Sequence, residues 1–228
     1  MLQYDFYYTK QNELHAFDLN SHTFGVAPSF YLGSNVLSVP VQYNYTWVDD
    51  QDYLGTLSVN PLINVKIAEN QLGQLGVKFQ DKNYEQTPVL VAEDRNGTRW
   101  APGAAWFFFF NQNKSFLNLR YEYDSENTRG NNWDYGGHRA SAAVQLPLVE
   151  NWKMTLVGEG YWQDFKNTHS AFNVKRSDEN YTGSASLAYS FNKDWEWQIR
   201  YTYIDHPSNI TIYEYTRSIV STGVTARF

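Results

Sequence analysis

The sequence predicts an all-β chain: a single transmembrane, up-and-down antiparallel β-barrel of about twelve strands covering residues 1–228. Three observations predict it. Apolar and polar residues alternate with a period of two along most of the chain, and short and long connections take turns between the alternating stretches. The apolar share is spent on aromatics, with 18 Tyr, 14 Phe and 8 Trp in 228 residues. Such side chains suit strands and the boundary between lipid and water.

The alternation reads most clearly in four places. Leu117, Leu119, Tyr121 and Tyr123 oppose Asn118, Arg120, Glu122 and Asp124. Trp195, Trp197, Ile199 and Tyr201 oppose Glu196, Gln198, Arg200 and Thr202. Leu37 to Trp47 and Tyr181 to Phe191 repeat the scheme, each with one greasy face and one wet face. Strands are expected at 2–9, 17–32, 36–48, 53–67, 72–81, 99–110, 115–124, 137–148, 152–165, 181–191, 195–205 and 212–228. All but the first reach the roughly 9–11 residues that a tilted strand needs to cross the hydrocarbon.

The connections argue for a membrane barrel over a soluble sandwich. The short set is 33–35, 68–71, 111–114, 149–151 and 192–194; the long set is 10–16, 49–52, 82–98, 125–135, 167–180 and 206–209. Tight turns on one side and longer loops on the other are the rhythm of outer-membrane barrels, periplasmic turns facing outer loops. An even strand count puts both termini on the turn side. Pro28, Pro40, Pro61, Pro102 and Pro147 fall inside expected strands and count against them, because proline gives the ladder no donor. Phe107 to Phe110 leave the inward face of the sixth strand open.

Composition excludes several function classes. With no Cys there is no disulfide framework, no thiolate metal site and no thiol nucleophile. A net charge of −6 without Lys/Arg clusters argues against nucleic acid as a partner. No run approaches the roughly 18 apolar residues of a spanning helix.

The closing segment, Ser218 to Phe228, resembles the last strand of bacterial outer-membrane proteins, ending in Phe with Val220, Val224 and Ala226 at alternate positions. That resemblance implies a bacterial outer-membrane location, outer-membrane lipid and lipopolysaccharide as surroundings, and recognition of this strand by the barrel-insertion machinery. Residues 17–23, 75–84 and 117–138 are similar to the C-terminal barrels of tetratricopeptide-containing surface lipoprotein assembly modifier type proteins. Small twelve-stranded porins for acidic sugars share the size and strand count.

With the greasy faces in lipid, the other faces line the lumen. The inward bases are Lys66, Lys78, Arg120, Arg139, Lys153, Arg200, Arg217 and Arg227; the inward acids are Asp5, Glu122, Glu159 and Glu196. The expected pore-lining set is Lys78, Arg120, Glu122, Arg139, Glu159, Arg200 and Arg217, most of it near mid-height, where a low-dielectric wall focuses the field. Two arrangements are open: an anion-favouring constriction, or a ladder of paired charges that fills the lumen. Trp47, Trp100, Trp152, Trp162, Trp195 and Trp197 read as interfacial girdles.

No enzyme is expected. His206-Pro207-Ser208 has the two-residue spacing of a His and Ser on one strand face, but Pro207 places it in a turn. Asp49-Asp50-Gln51-Asp52 and Glu93-Asp94-Arg95-Asn96-Gly97 lack full calcium-loop spacing and read as solvated tips, so neither metal nor cofactor is expected. The reading is an outer-membrane channel for small polar or anionic solutes, with a plugged barrel that anchors a larger protein as the alternative.

Overall fold

The computed structural model describes residues 2–13 and 15–226. The expected inward Arg227 and terminal Phe228 lie outside the described residues. Among these residues the chain forms one antiparallel sheet of fifteen strands: β1 (Leu2–Thr9), β2 (Leu19–Val26), β3 (Ser29–Leu32), β4 (Asn35–Ser38), β5 (Val41–Val48), β6 (Gln51–Val59), β7 (Leu62–Ala68), β8 (Gln71–Tyr84), β9 (Gly97–Phe110), β10 (Ser115–Thr128), β11 (Tyr135–Pro147), β12 (Trp152–Thr168), β13 (Lys175–Ser190), β14 (Trp195–His206) and β15 (Tyr215–Ala226). The main path runs β1-β2-β5-β6-β8 and then in chain order to β15. This is a meander of twelve passes, because β2 with β3, β4 with β5 and β6 with β7 are single passes broken in the middle.

Prolines make those breaks, at Pro28, Pro40 and Pro61. Register places Pro28 opposite Val39, Val39 opposite Pro61, Pro61 opposite Val77 and Val77 opposite Pro102, so three prolines occupy one row on alternate passes. Each break keeps the half of the ladder that proline can supply. Val39 N–H donates to Pro28 O at 3.0 Å, Asn60 N–H to Pro40 O at 2.9 Å and Val77 N–H to Pro61 O at 3.0 Å. Missing donors interrupt the assigned strands without shifting the register across them.

Burial is inverted relative to a soluble domain. Asp124 and Asp178 are among the most deeply buried side chains, while Leu57, Leu75, Phe79, Leu119, Leu187 and Ile199 are exposed on the other face. An exposed apolar belt around a polar interior is what a bilayer solvent requires. The four-Phe run resolves by parity. Phe107 and Phe109 share the face of Ala101 and Ala105, which are buried inside, and Phe108 and Phe110 stack on the outer face with Trp106.

Three expected outer loops are shorter than the sequence reading gave. β8 runs on to Tyr84 and β9 starts at Gly97; β10 reaches Thr128; β12 and β13 extend to Thr168 and from Lys175. In each case alternation persists beyond the greasy belt but switches from apolar/polar to polar/polar. Asp49-Asp50 is a correction of another kind. It is a two-residue hairpin turn with φ of 51° and 57° between the paired Val48 and Gln51, so the outer connections are not all long. On the opposite side Gly33, at φ 65°, starts the equally tight turn between Leu32 and Asn35.

Among the described residues no ladder joins β1 to β15, so closed pairing is not drawn there and the outer edges of these two strands have no sheet partner. Unpaired edges in hydrocarbon cost several kcal/mol per group. The prediction is that the two edges meet once the protein is in a membrane or micelle. Folded protein should then migrate differently on gels before and after boiling, and a heat-insensitive mobility would contradict closure.

Candidate functional site

The register fixes which side chains share the lumen. One row runs Leu62, Gly76, Gly103, Glu122, Arg139, Tyr161, Asn180, and the row two residues away runs Asn64, Gln74, Ala105, Arg120, Ser141, Glu159, Thr182. Gly76, Ala101 and Gly103 leave a hollow on β8 and β9. A cavity of about 280 Å³ opens there, and Lys78, Arg99, Arg120 and Arg139 line it against the single carboxylate of Glu122. Arg120 donates to Gln74 Oε1 at 2.9 Å and Arg139 lies 3.9 Å from Glu159. Lys78 has no ion pair among the described residues.

Four of the seven expected pore residues, Lys78, Arg120, Glu122 and Arg139, therefore meet at one cavity, with Glu159 at its edge. Arg200 and Arg217 do not join them. They keep the inward parity, opposite Ser186 and Ile204, but both are exposed on the last two strands. Among the other expected bases, Lys153 is held by Glu196 at 2.7 Å, and Lys66 sits at the end of β7.

A polar layer, absent from the expected list apart from Glu122, runs along the β8–β12 wall on the loop side of this cavity. Arg99 pairs with Asp124, its Nε at 2.8 Å, and reaches Gln80 at 3.0 Å and Glu122 at 3.5 Å. The phenol of Tyr161 donates to Asp124 at 3.0 Å, and that of Tyr135 donates to Glu126 at 3.2 Å. Lys82 closes on Glu126 at 2.7 Å. Asp124 is 2% exposed and has its bonds supplied from β9 and β12, which is what a buried carboxylate needs.

Beyond this layer lies a second cavity of about 240 Å³, lined by Glu126, Tyr135, Phe165, Arg95, Arg176 and His206 among others. Arg176 is buried with its guanidinium 3.4 Å from the Tyr213 ring and 4.4 Å from Phe165, and it grips Asp178 through Nε at 2.9 Å. Ser208 donates to Asp178 at 2.7 Å, and His206 Nε2 lies 3.6 Å from the same carboxylate. Ser208 thus bonds Asp178 and not the imidazole, so the His206-Pro207-Ser208 spacing yields no nucleophile–base pair. Nor is Glu93 a solvated tip. It accepts from Asn132 at 2.6 Å and from Trp133 at 2.9 Å, tying two of the longer loops together. Burial raises the Tyr213 phenol above its ordinary pKa in this loop cluster.

The rest of the wall differs in kind. On β2, β5 and β6 the inward residues include Ser21, Thr23, Asn44, Thr46 and Thr56, and Asn44 donates to Ser21 at 2.7 Å and to Thr23 at 2.8 Å. Lysine and arginine are absent from this face of the described residues.

Solved structures share this architecture. The NanC porin matches with a TM-score of 0.59 at 13% identity, over 99% of this chain and 98% of that one. OmpT, an outer membrane protein of Vibrio cholerae, matches at 0.56 and 7%, over 98% and 96%. The KdgM porin in complex with disordered oligogalacturonate matches at 0.50 and 10%, over 92% of each chain. By sequence, no protein-family description matches the chain and no curated protein does. The fold is therefore that of the small twelve-stranded porin barrels. The narrower likeness to surface lipoprotein assembly modifier barrels rests on the sequence segments alone.

The buried Arg99–Asp124 pair should dominate stability locally. Asp124→Ala leaves Arg99 buried without its carboxylate and is expected to cost about 3–5 kcal/mol. Tyr161→Phe removes one hydrogen bond and should cost about 1 kcal/mol. Urea unfolding of the micelle-folded protein, followed by tryptophan fluorescence, measures both; equal costs would mean that the pair is not the anchor of the layer.

Proposed function

We propose that the chain is a bacterial outer-membrane channel for passive passage of small polar solutes, with a preference for anions. The observation that carries this reading is the 280 Å³ cavity in the porin-type barrel, whose lining has four basic side chains and one acidic one. A low-dielectric wall concentrates that field on whatever enters. The complex of the similar KdgM porin with oligogalacturonate, an anionic oligosaccharide, supports the same sign of selectivity. The rival influence is the net charge of −6, but Asp49, Asp50, Asp52, Glu93 and Asp94 are on or beside outer connections. At physiological salt the Debye length is about 8 Å, so such charges are screened at the constriction while lumen charges act at contact.

A second reading has its own observation. The Arg99–Asp124–Tyr161 layer and the Lys82–Glu126 pair tie strands β8 to β12 together between the two cavities, which favours a plugged barrel that anchors a larger outer-membrane protein. Planar-bilayer recording separates the two. A channel gives stable conductance with an anion-selective reversal potential under a salt gradient, and Arg120→Gln with Arg139→Gln shifts that potential toward zero. Silence of the folded protein supports the plug. Cation preference in the parent, or no shift in the double variant, defeats the anion reading.

Both termini and the short turns are proposed to face the periplasm, with the outer loops and outer-leaflet lipopolysaccharide on the other side. The short-turn ladder contact Ala68–Gln71 brackets Glu69 and Asn70. A single cysteine at Asn70 should stay unlabelled by a membrane-impermeant thiol reagent on intact cells and label after lysis. Labelling on intact cells would invert the orientation.

A further inference from the structure

Two constellations on the outer, lipid-facing wall repeat each other. In the first, the phenol of Tyr4 on β1 meets His22 Nδ1 on β2 at 2.8 Å, ring centroids 6.0 Å apart at 35°. In the second, the phenol of Tyr121 on β10 meets His138 Nδ1 on β11 at 2.6 Å, centroids 6.1 Å apart at 34°. A second ring on the first strand completes each one: Phe6 lies 5.0 Å from His22, and Tyr123 lies 5.1 Å from His138. The register agrees as well, since His22 is directly opposite Phe6 and His138 directly opposite Tyr123.

Their placement is the second observation. Each histidine is the fourth residue of a strand that descends from an outer loop, Leu19 to His22 and Tyr135 to His138. Both dyads therefore stand at one height, in the outer interfacial belt beside Trp47 and Trp162. Along the sheet, β10 is the sixth pass after β1 and β11 the sixth after β2. In a twelve-pass barrel, six passes put the two dyads on opposite sides.

The chemistry follows from the shared hydrogen bond. A neutral ring whose Nδ1 accepts the phenol proton carries its own hydrogen on Nε2, and a protonated ring carries one there too. Among the described residues neither Nε2 has a protein partner. With the phenol as donor to Nδ1, each dyad presents an N–H donor at the depth of the lipid headgroups, where the abundant acceptors are phosphate oxygens. From these two matched dyads we propose a pair of binding sites for the phosphate groups of outer-leaflet lipid, one on each side of the barrel. They set its depth and tilt, and they serve a channel and a plugged barrel equally.

The test uses the full chain folded in detergent, incubated with bisphosphorylated lipid A or with the same lipid after dephosphorylation, and read by native mass spectrometry. The parent should retain two molecules of the bisphosphorylated lipid. H22F and H138F should each retain one, and affinity in H22F/H138F should fall at least about tenfold, the weight of a hydrogen bond to a charged group. Phenylalanine keeps the apolar ring in the belt, and heat-shifted mobility confirms folding. Should the double variant misfold, Y4F/Y121F, which frees Nδ1 without emptying the belt, must show the same direction of loss. Equal retention of the dephosphorylated lipid, or an unchanged lipid count in the folded double variant (or in Y4F/Y121F where that variant is needed), overturns the proposal.

Discussion

The structure depends on one constraint: backbone N–H and C=O groups in a wall bathed by hydrocarbon must find partners within the wall, because lipid offers none. Antiparallel neighbours satisfy it, and a sheet that satisfies it has two unlike faces with a side-chain period of two. The proline row shows how strictly it is kept. Pro28, Pro40 and Pro61 cannot donate, yet each carbonyl still accepts from the next pass at 2.9–3.0 Å, so the sheet loses half a rung at each break and stays in register.

The same ladder governs the interior chemistry. Side chains that face inward stand close together along the wall, so a buried charge finds its partner on the adjacent strand or the one beyond it. Asp124 on β10 is met by Arg99 from β9 and by Tyr161 from β12, and Glu126 by Lys82 from β8. Where partners are complete, the wall carries paired charges. Where small residues such as Gly76, Ala101 and Gly103 replace them, a cavity opens beside Lys78, Arg120 and Arg139. Paired layer and cavity are therefore two levels of one wall.

That level structure explains what the sequence disclosed. The strand meander was legible because lipid contact forces apolar residues to every second position, as in Leu117, Leu119, Tyr121 and Tyr123. Lys78, Arg120, Glu122 and Arg139 were legible because they interleave with those residues. Arg99, Asp124, Arg176 and Asp178 were missed as site residues because the strands carrying them rise beyond the hydrocarbon, where outward positions become Ser125, Asn127, Ser177 and Glu179 and the greasy half of the signal ends. A signal was still present in the other half. Acids recur at Glu122, Asp124 and Glu126, and bases at Lys78 and Lys82, all with the strand period.

The two sides of the wall solve the constraint with different means. Strands β8 to β13 hold most of the paired lumen charges, whereas β1, β2, β5 and β6 present mainly hydroxyls and amides inward. A buried ion is tolerable only when neighbouring strands reach its height to supply opposite charge and hydrogen bonds. On the proline-broken passes Asn44, Ser21 and Thr23 satisfy one another without any ion. The cavity lies on the β7–β11 wall, at the level where the proline row crosses, so its bases converge from one side of the barrel.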